Sequence, residues 1–348
     1  MAAPTGAFAS ERLVIGGGLA GSLLALALRE RGLAVTLLDP GSGDTATALS
    51  YGVIPGWPLA ATGLARLAPQ AGARWRALQE RHGSLGWHPA HWRLPLPVSQ
   101  VDGETLGQRL PAALAAAGVE VRRGQARGLE RWGSGWCVHL VEGPPLQAAQ
   151  VVLAAGSGCR ALWPDLPARL RSSWAGVLQL QDRPSDLPPD QLQLPLQFQR
   201  PELERRAPQL QAEAWIVDPG VVPRGRGALV GQLTLVRPAA SGCGAPADPE
   251  PDPQRMEQLL RQGLEPLALA WQAVPARYRQ APVSFCSAGH PLAGPVAGAP
   301  GLWVFSGFSG GFAQVPVLAP LLAECLADPG GQALEALQRL GVLPQAAG

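Results

Sequence analysis

The sequence contains no lysine and no asparagine, and its 348 residues include only 2 methionines and 5 cysteines. Without lysine, no complete Walker A phosphate-binding loop can be present. All 28 basic residues are therefore arginine, and the formal net charge is only +2. Because these arginines are scattered along the chain, no basic patch is predicted, and nucleic acid is not expected as a partner.

The cysteines and the apolar runs exclude several further classes of protein. The five cysteines are odd in number and far apart, so they predict neither a disulfide framework nor a cysteine-rich metal site. The first twelve residues lack the basic start and apolar core of a signal peptide. Glycine or proline interrupts the most apolar stretches before they reach the roughly 20 residues that span a membrane. The sequence therefore predicts a cytoplasmic protein with no membrane span.

The most informative segment that is present covers residues 13–39. An apolar run leads into Gly16, Gly18 and Gly21, which have the spacing G-x-G-x-x-G. A helical stretch and a second apolar run follow, and that run stops at Asp39. This order is typical of a dinucleotide site, where the glycines permit a tight turn, close approach to a pyrophosphate and close helix–strand packing. The acidic residue accepts hydrogen bonds from a free ribose hydroxyl, which favours FAD or NAD over NADP.

Further along the chain, the predicted structure changes from alternating strands and helices to an antiparallel sheet, and then changes back. Short alternating runs within residues 176–238 predict an antiparallel sheet. The last portion again alternates strand and helix, so the nucleotide-binding half is interrupted by a mostly β insertion. We predict helices at 62–82, 105–117, 253–263 and 314–327, and strands that include 119–124, 136–140, 150–153, 193–199 and 302–305.

Two more motifs carry a resemblance to a known family. The run VVLAAGSG, residues 151–158, resembles the second nucleotide motif of FAD-dependent oxidoreductases, and residues 301–326, with GFSGGF, resemble the closing segment of the D-amino acid oxidase family. That family includes glycine oxidase and sarcosine oxidase, and the resemblance extends over roughly residues 11–327. It implies an α/β fold in which a Rossmann-like FAD-binding domain is interleaved with an α+β substrate domain built on an antiparallel sheet. The expected bounds are 10–60, 98–172 and 285–348 for the FAD-binding domain, and 61–97 and 173–284 for the substrate domain.

The same resemblance assigns residues to a non-covalently bound FAD. It implies that the glycine turn meets the pyrophosphate, that Asp39 meets the ribose, and that backbone amides of the closing turn surround the pyrimidine side of the flavin ring. No catalytic acid or base and no metal ligand is predicted. The expected cofactor-binding residues are Gly16, Gly18, Gly21, Asp39, Thr47, Ser50, Arg127, Ala154, Ala155, Gly156, Gly307, Phe308, Ser309, Gly310, Gly311 and Phe312.

The chain also departs from the family pattern. Val283 stands where the family has an arginine that holds the substrate carboxylate, and Phe308 stands where the closing turn has a histidine. Cys286 does not match the position of covalent flavin attachment. His88 and His91 are three residues apart but have no third ligand at metal spacing, so they predict packing. An arginine of the insertion is a possible replacement for the missing one, and the candidates are Arg224, Arg226 and Arg237. Arg277 and Arg279 are out of register.

The expected activity follows from the family. It is oxidation of a C–N bond in a small amine or amino-acid-like molecule by hydride transfer to flavin N5, with reoxidation by oxygen or another acceptor. One alternative is a flavin dehydrogenase or tRNA-modifying oxidoreductase with the same fold. The other alternative is a non-catalytic flavin-binding accessory protein, which is consistent with the missing arginine and histidine.

Overall fold

The chain's structure is a computed structural model in which the described strands form three sheets. It describes residues 10–41, 44–57, 64–183, 185, 188, 190–238, 249–267 and 269–344. The strands are β1 (Ser10–Ile15), β2 (Thr36–Asp39), β3 (Val53–Pro55), β4 (Trp87–Trp92), β5 (Val98–Val101), β6 (Glu120–Arg123), β7 (Ala126–Trp132), β8 (Gly135–Leu140), β9 (Leu146–Leu153), β10 (Leu170–Leu180), β11 (Gln191–Leu192), β12 (Ala214–Arg224), β13 (Gly227–Val236), β14 (Arg277–Cys286), β15 (Leu292–Pro295) and β16 (Leu302–Ser306).

The described helices alternate with the strands along most of the chain. None of them is both long and apolar enough to cross a membrane. The helices are α1 (Leu19–Glu30), α2 (Ala46–Leu49), α3 (Ala68–His82), α4 (Gly103–Ala116), α5 (Cys159–Leu162), α6 (Arg200–Arg206), α7 (Pro253–Gln262), α8 (Leu269–Gln272), α9 (Gly311–Ala327) and α10 (Gln332–Arg339).

The largest sheet is parallel at its centre and contains the glycine motif. Strand β1 lies between β2 and β9, β6 extends the sheet beyond β2, and β16 pairs in parallel with β9. The last strand therefore returns to the sheet in which the chain begins. The apolar runs of β1 and β9 are fully buried, as expected for parallel strands with both faces covered. Two antiparallel additions complete the sheet, β15 beside β16 and the β7–β8 hairpin beside β9.

The local signals at the helix ends explain most of the predicted elements. Helix α1 ends just before Gly32, which has φ +74°, a conformation that favours glycine. Helix α4 begins two residues before the predicted start, because the Asp102 carboxylate accepts hydrogen bonds from the amides of Glu104 and Thr105. The predicted helix 62–82 is a 3-10 turn followed by α3, and Thr62 lies outside the described residues.

The second sheet is antiparallel, with the order β12-β13-β10-β14, as the alternating runs predict. One of its faces packs on α7 through Met256 and Leu260. The predicted strand 193–199 is wrong. The two-residue strand β11 lies just before this segment and pairs in parallel with β4 in a third sheet of order β11-β4-β5-β3. Within the segment, Gln193 makes an isolated antiparallel bridge to Val221. Pro195 has no amide hydrogen to donate to a neighbouring strand, and α6 begins directly afterwards at Arg200.

Helix α9 begins at Gly311, three residues before the predicted start at 314. The glycine pair indicated a loop because glycine disfavours helices, but the amides of residues 313 and 314 both donate to the Gly310 carbonyl. Pro316 lies inside this helix and cannot donate to the carbonyl of Phe312 four residues earlier. The indole N–H of buried Trp75 donates to that carbonyl instead, at 2.8 Å. A residue of α3 thus supplies the hydrogen bond that the proline removes.

Candidate cofactor-binding site

The glycine turn after β1 is packed against the end of β9. Gly16 has φ +109°, and a Cβ atom there would lie 2.5 Å from the Ala154 carbonyl oxygen. A Cβ atom at Gly21 would lie 1.9 Å from the Gly16 carbonyl oxygen. Both positions therefore require glycine for the protein's own packing. Gly18 differs, because a Cβ atom there would make only an ordinary 3.5 Å contact with Thr47 Oγ1.

Two polar side chains lie at this turn and at the start of α1. Asp39 Oδ1 accepts a hydrogen bond of 2.8 Å from the Gly17 amide. Thr47 Oγ1, from α2, accepts one of 3.0 Å from the Leu19 amide. The structure thus brings together the glycine turn, the acidic end of β2 and the Thr47 segment, three features that are well separated in the sequence.

The closing turn after β16 meets the same region. The Ser306 hydroxyl donates to the Gly156 carbonyl at 3.3 Å, which joins this turn to the end of β9. A Cβ atom at Gly311 would lie 3.3 Å from Leu19 Cδ2, so the first residues of α9 and α1 are in contact. Both helices begin after a glycine that offers no capping side chain. Two positive helix ends therefore converge where an anion would be stabilised.

Four further predicted site residues have side chains that are exposed or make contacts within the protein. Arg127 is exposed on β7, at the irregularity between its neighbours in the β7–β8 pairing. The Ser50 hydroxyl accepts from the Gly52 amide of its own loop at 3.2 Å. The Phe308 ring lies edge-on to Phe305 at 4.8 Å. The Phe312 ring is buried against Trp75 at 6.1 Å, so only its backbone lies at the turn.

Arg224 has a structural role in this region that the sequence pattern did not identify. Its side chain is only 4% exposed, and its Nε lies 3.6 Å from Asp102 Oδ1. Its guanidinium also donates to the carbonyl of Ala48 and, at 2.8 Å, to that of Ser50. Burial lowers the pKa of Arg224, and Asp102 opposes this shift. Arg224 therefore holds the α2 segment in place, and no local sequence signal reveals contacts over 174 residues.

A second unpredicted group joins α6 to the closing turn. The Ser309 hydroxyl donates to Glu204 Oε2 at 2.7 Å, and Arg200 Nη2 donates to the Ser309 carbonyl. Arg200 and Glu204 are four residues apart on α6, and the distance from Arg200 Nε to Glu204 Oε1 is 3.6 Å. The start of α6 is fixed by Asp218, whose carboxylate accepts from the amides of Gln199 and Arg200 at 2.6 and 3.1 Å.

The two histidines of β4 that are predicted to serve packing each contact one nearby oxygen, but the His91 side chain is 75% exposed, so packing is wrong for His91. His88 Nδ1 lies 2.9 Å from the Pro89 carbonyl, and His91 Nδ1 lies 2.7 Å from Asp190 Oδ2. Within the described ranges, one group of three potential metal ligands lies on the β7–β8 hairpin, and it consists of Glu130, Cys137 and His139. A 3.0 Å contact between His139 Nε2 and Glu130 Oε1 accounts for the proximity of these two residues.

The cysteines near the closing turn lead to a prediction about reactivity. Cys159 and Cys286 are 0% and 1% exposed, and burial raises their pKa values to about 11 and about 12. We expect iodoacetamide at about pH 8 to leave both thiols unmodified in the folded protein, because the thiolate is the reactive form. Both should react after unfolding in guanidinium. Peptide mass spectrometry measures each site, and modification of Cys286 at equal rates in the folded and unfolded chain contradicts the prediction.

Comparisons with known proteins agree with this geometry. The sequence pattern of the DAO family, described as FAD dependent oxidoreductase, matches residues 12–96 and 94–325. The fold is similar to that of glycine oxidase from Geobacillus kaustophilus, with a TM-score of 0.71, 17% identity, and coverage of 98% of this chain and 100% of that one. It is also similar to that of iminodiacetate oxidase from Chelativorans, with a TM-score of 0.67, 16% identity, and coverage of 97% and 100%.

One curated relative is similar at the level of sequence. It is the tRNA 5-methylaminomethyl-2-thiouridine biosynthesis bifunctional protein MnmC of a Caulobacter strain, 31% identical over 90% of this chain. The chain spans about half of that relative, 53% of its length.

Proposed function

The chain belongs to the DAO family of FAD dependent oxidoreductases, and we propose that it oxidises a C–N bond in a small amine or amino-acid-like substrate. The family, the α/β fold class and the FAD cofactor predicted from the sequence are confirmed. The starts of α1 and α9 are in contact, so two positive helix ends would face one anionic cofactor. This contact is the main support for the proposal.

The residues of this region fit FAD. The tight contacts of Gly16 and Gly21 form a turn that brings backbone amides close to a pyrophosphate, and Asp39 at the end of β2 suits a ribose hydroxyl. A Cβ atom at Gly156 would meet nothing within 4 Å, which leaves room beside the strand end for the nucleotide. We propose that residues 10–60, 98–172 and 285–348 form the FAD-binding domain and residues 61–97 and 173–284 the substrate domain. The first sheet lies within the proposed FAD-binding ranges and the second lies almost wholly within the substrate ranges, which supports this division. The third sheet joins the two, because β3 and β5 belong to the first set of ranges and β4 and β11 to the second.

The proposed chemistry requires little from the side chains. When bound, FAD would supply the acceptor for the hydride that leaves the carbon next to the amine nitrogen, while the nitrogen lone pair forms the carbon–nitrogen double bond. A neutral amine needs no side-chain base for this step. The amides at the start of α9 would stabilise negative charge at the pyrimidine side of the ring, because they lie at a positive helix end. Oxygen or another acceptor would be needed to take up the two electrons for a second turnover.

We expect at least one amine to bleach the visible absorption of oxidised flavin under anaerobic conditions. The purified, FAD-loaded protein would be mixed with glycine, sarcosine, iminodiacetate, methylamine and dimethylamine, because these compounds separate the effects of nitrogen substitution and of the carboxylate. Dithionite is the control for reducible flavin. A protein that dithionite bleaches and that no amine or amino acid reduces would instead be the non-catalytic flavin-binding alternative.

A second candidate substrate is an amine attached to a tRNA nucleoside. The sequence similarity to a protein of 5-methylaminomethyl-2-thiouridine biosynthesis favours it, because that group contains an amine. The net charge of +2 favours the small substrate. Binding of tRNA that weakens steeply with salt, together with flavin reduction by modified tRNA only, distinguishes this candidate.

The cysteines support two further proposals. We propose that FAD is bound non-covalently, because Cys286 is buried and its raised pKa keeps the thiol protonated. We also propose a cytoplasmic location. Four cysteines of the described ranges are free thiols, which suits a reducing compartment.

A further inference from the structure

The strand position expected to bind a substrate carboxylate has no cation. Val283 lies on β14 opposite Ser173 of β10, and it is only partly buried. The nearby Arg279 is not a free replacement, because its guanidinium donates to the Asp44 carboxylate and, at 2.7 Å, to Gln179 Oε1. Arg224 is buried among backbone carbonyls of the α2 segment.

Two other arginines of the insertion are also engaged elsewhere. Arg226 is 89% exposed and pairs with Asp182 at 2.9 Å. Arg237 donates to the Pro249 carbonyl at 2.6 Å, and its Nε lies 3.6 Å from Glu213 Oε2. These partners of Arg224, Arg226, Arg237 and Arg279 are thus all outside the closing turn.

Arg200 is different, because it reaches the closing turn directly. Its Nη2 donates to the carbonyl of Ser309, next to the uncapped start of α9. Arginine has five N–H donors, and within the described ranges the Ser309 carbonyl is the one acceptor hydrogen-bonded to this side chain. The side chain is 21% exposed. Arg200 therefore has donors left for a second, anionic partner.

The acids around Arg200 do not occupy its hydrogen-bond donors. Glu204 Oε1 is buried and accepts no hydrogen bond, and at 3.6 Å it is too far from Arg200 Nε to accept one. Burial raises the pKa of Glu204 and also that of Asp218, so both carboxyls take up a proton more readily than usual. Asp218 is already engaged by two backbone amides at the start of α6.

We propose that Arg200 binds the carboxylate of an amino-acid-like substrate, supplying from α6 the guanidinium that position 283 lacks. A forked guanidinium pairs with a carboxylate in a fixed orientation, which would hold the amine at the flavin side of the closing turn. This inference rests on the proposed function and restricts its substrate class to amines that carry a carboxylate.

The test compares carboxylates with uncharged analogues on the FAD-loaded protein. Acetate and acetamide are the binding probes, followed by the flavin difference spectrum and by calorimetry. We expect the unmodified protein to bind acetate and not acetamide, and Arg200→Gln to weaken acetate binding by about 10- to 100-fold, the usual effect of a lost charge-assisted hydrogen bond. Glutamine keeps one donor for the Ser309 carbonyl, so FAD content should be retained. Arg200→Lys should be intermediate, because it keeps the charge without the fork.

The matched control is Arg205→Gln on the same helix. Arg205 is 65% exposed and pairs with Glu202, so acetate binding should not change. With an amine that reduces the flavin, Arg200→Gln should raise KM for sarcosine and leave that for dimethylamine unchanged. Equal acetate binding by Arg200→Gln and the unmodified protein, or none by the unmodified protein, overturns the inference. Failure of every amine to reduce the flavin instead overturns the proposed function and leaves the acetate result valid.

Discussion

Alanine at position 21 is expected to abolish FAD binding and to destabilise the fold. The added Cβ atom would lie 1.9 Å from the carbonyl oxygen of Gly16, a distance that no contact tolerates. Relief requires α1 to move away from the glycine turn, because the obstacle is backbone and not a flexible side chain. Overpacking of this kind costs about 3 kcal/mol of unfolding free energy. It would also separate the start of α1 from the start of α9, which Gly311 and Leu19 hold in contact.

The control for this variant is Gly107→Ala. Gly107 lies in α4, and a Cβ atom there would meet nothing within 4 Å. Alanine should therefore leave FAD binding unchanged and stabilise the helix by up to about 1 kcal/mol. Urea unfolding and flavin absorbance after gel filtration measure both quantities. A Gly21→Ala protein that keeps its flavin and its unfolding midpoint would show that the glycine turn is not packed as described.

Methionine in place of Arg224 is expected to have the second largest effect. It removes the hydrogen bonds to the carbonyls of Ala48 and Ser50 and leaves the Asp102 carboxylate without its cation. Removing one partner of a buried ion pair costs about 3 kcal/mol or more. The α2 segment carries Thr47, whose hydroxyl accepts from the first amide of α1. FAD affinity should therefore fall together with stability.

Arg226→Met provides the matched comparison, because Arg226 is two residues away and makes one exposed ion pair. Exposed pairs contribute little, so this variant should unfold and bind FAD as the unmodified chain does. Denaturant titration and fluorescence titration with FAD report the two effects separately. If Arg224→Met and Arg226→Met behave alike, Arg224 does not hold the α2 segment.

The glycine motif was predictable because its signals are local. The spacing of Gly16, Gly18 and Gly21, the helix ended by Gly32 and the acid at Asp39 all lie within one strand–helix–strand unit, and the structure has each element there. Alternation likewise predicted the antiparallel sheet of β10, β12 and β13.

The sequence pattern fails at two places where local signals conflict, and it does not reveal one distant contact. Alternating residues 193–199 look like a strand, yet Pro195 cannot complete a ladder and α6 follows. Helix α9 begins three residues earlier than the sequence predicts, because its glycines favour a loop when considered alone. Within that helix, the indole of Trp75 compensates Pro316 from another part of the chain. No short stretch of sequence around Pro316 contains Trp75.

The family, the flavin nucleotide and the backbone of the phosphate turn can be predicted without a structure, because each follows from residue types at short, fixed spacings. The tertiary structure decided which cations serve which purpose. Arg224 is buried beneath α2, Arg279 pairs with Asp44, and Arg200 contacts the closing turn. These assignments depend on the order in which distant strands pair. The sequence around an arginine does not indicate whether its guanidinium is buried, paired or available to a ligand.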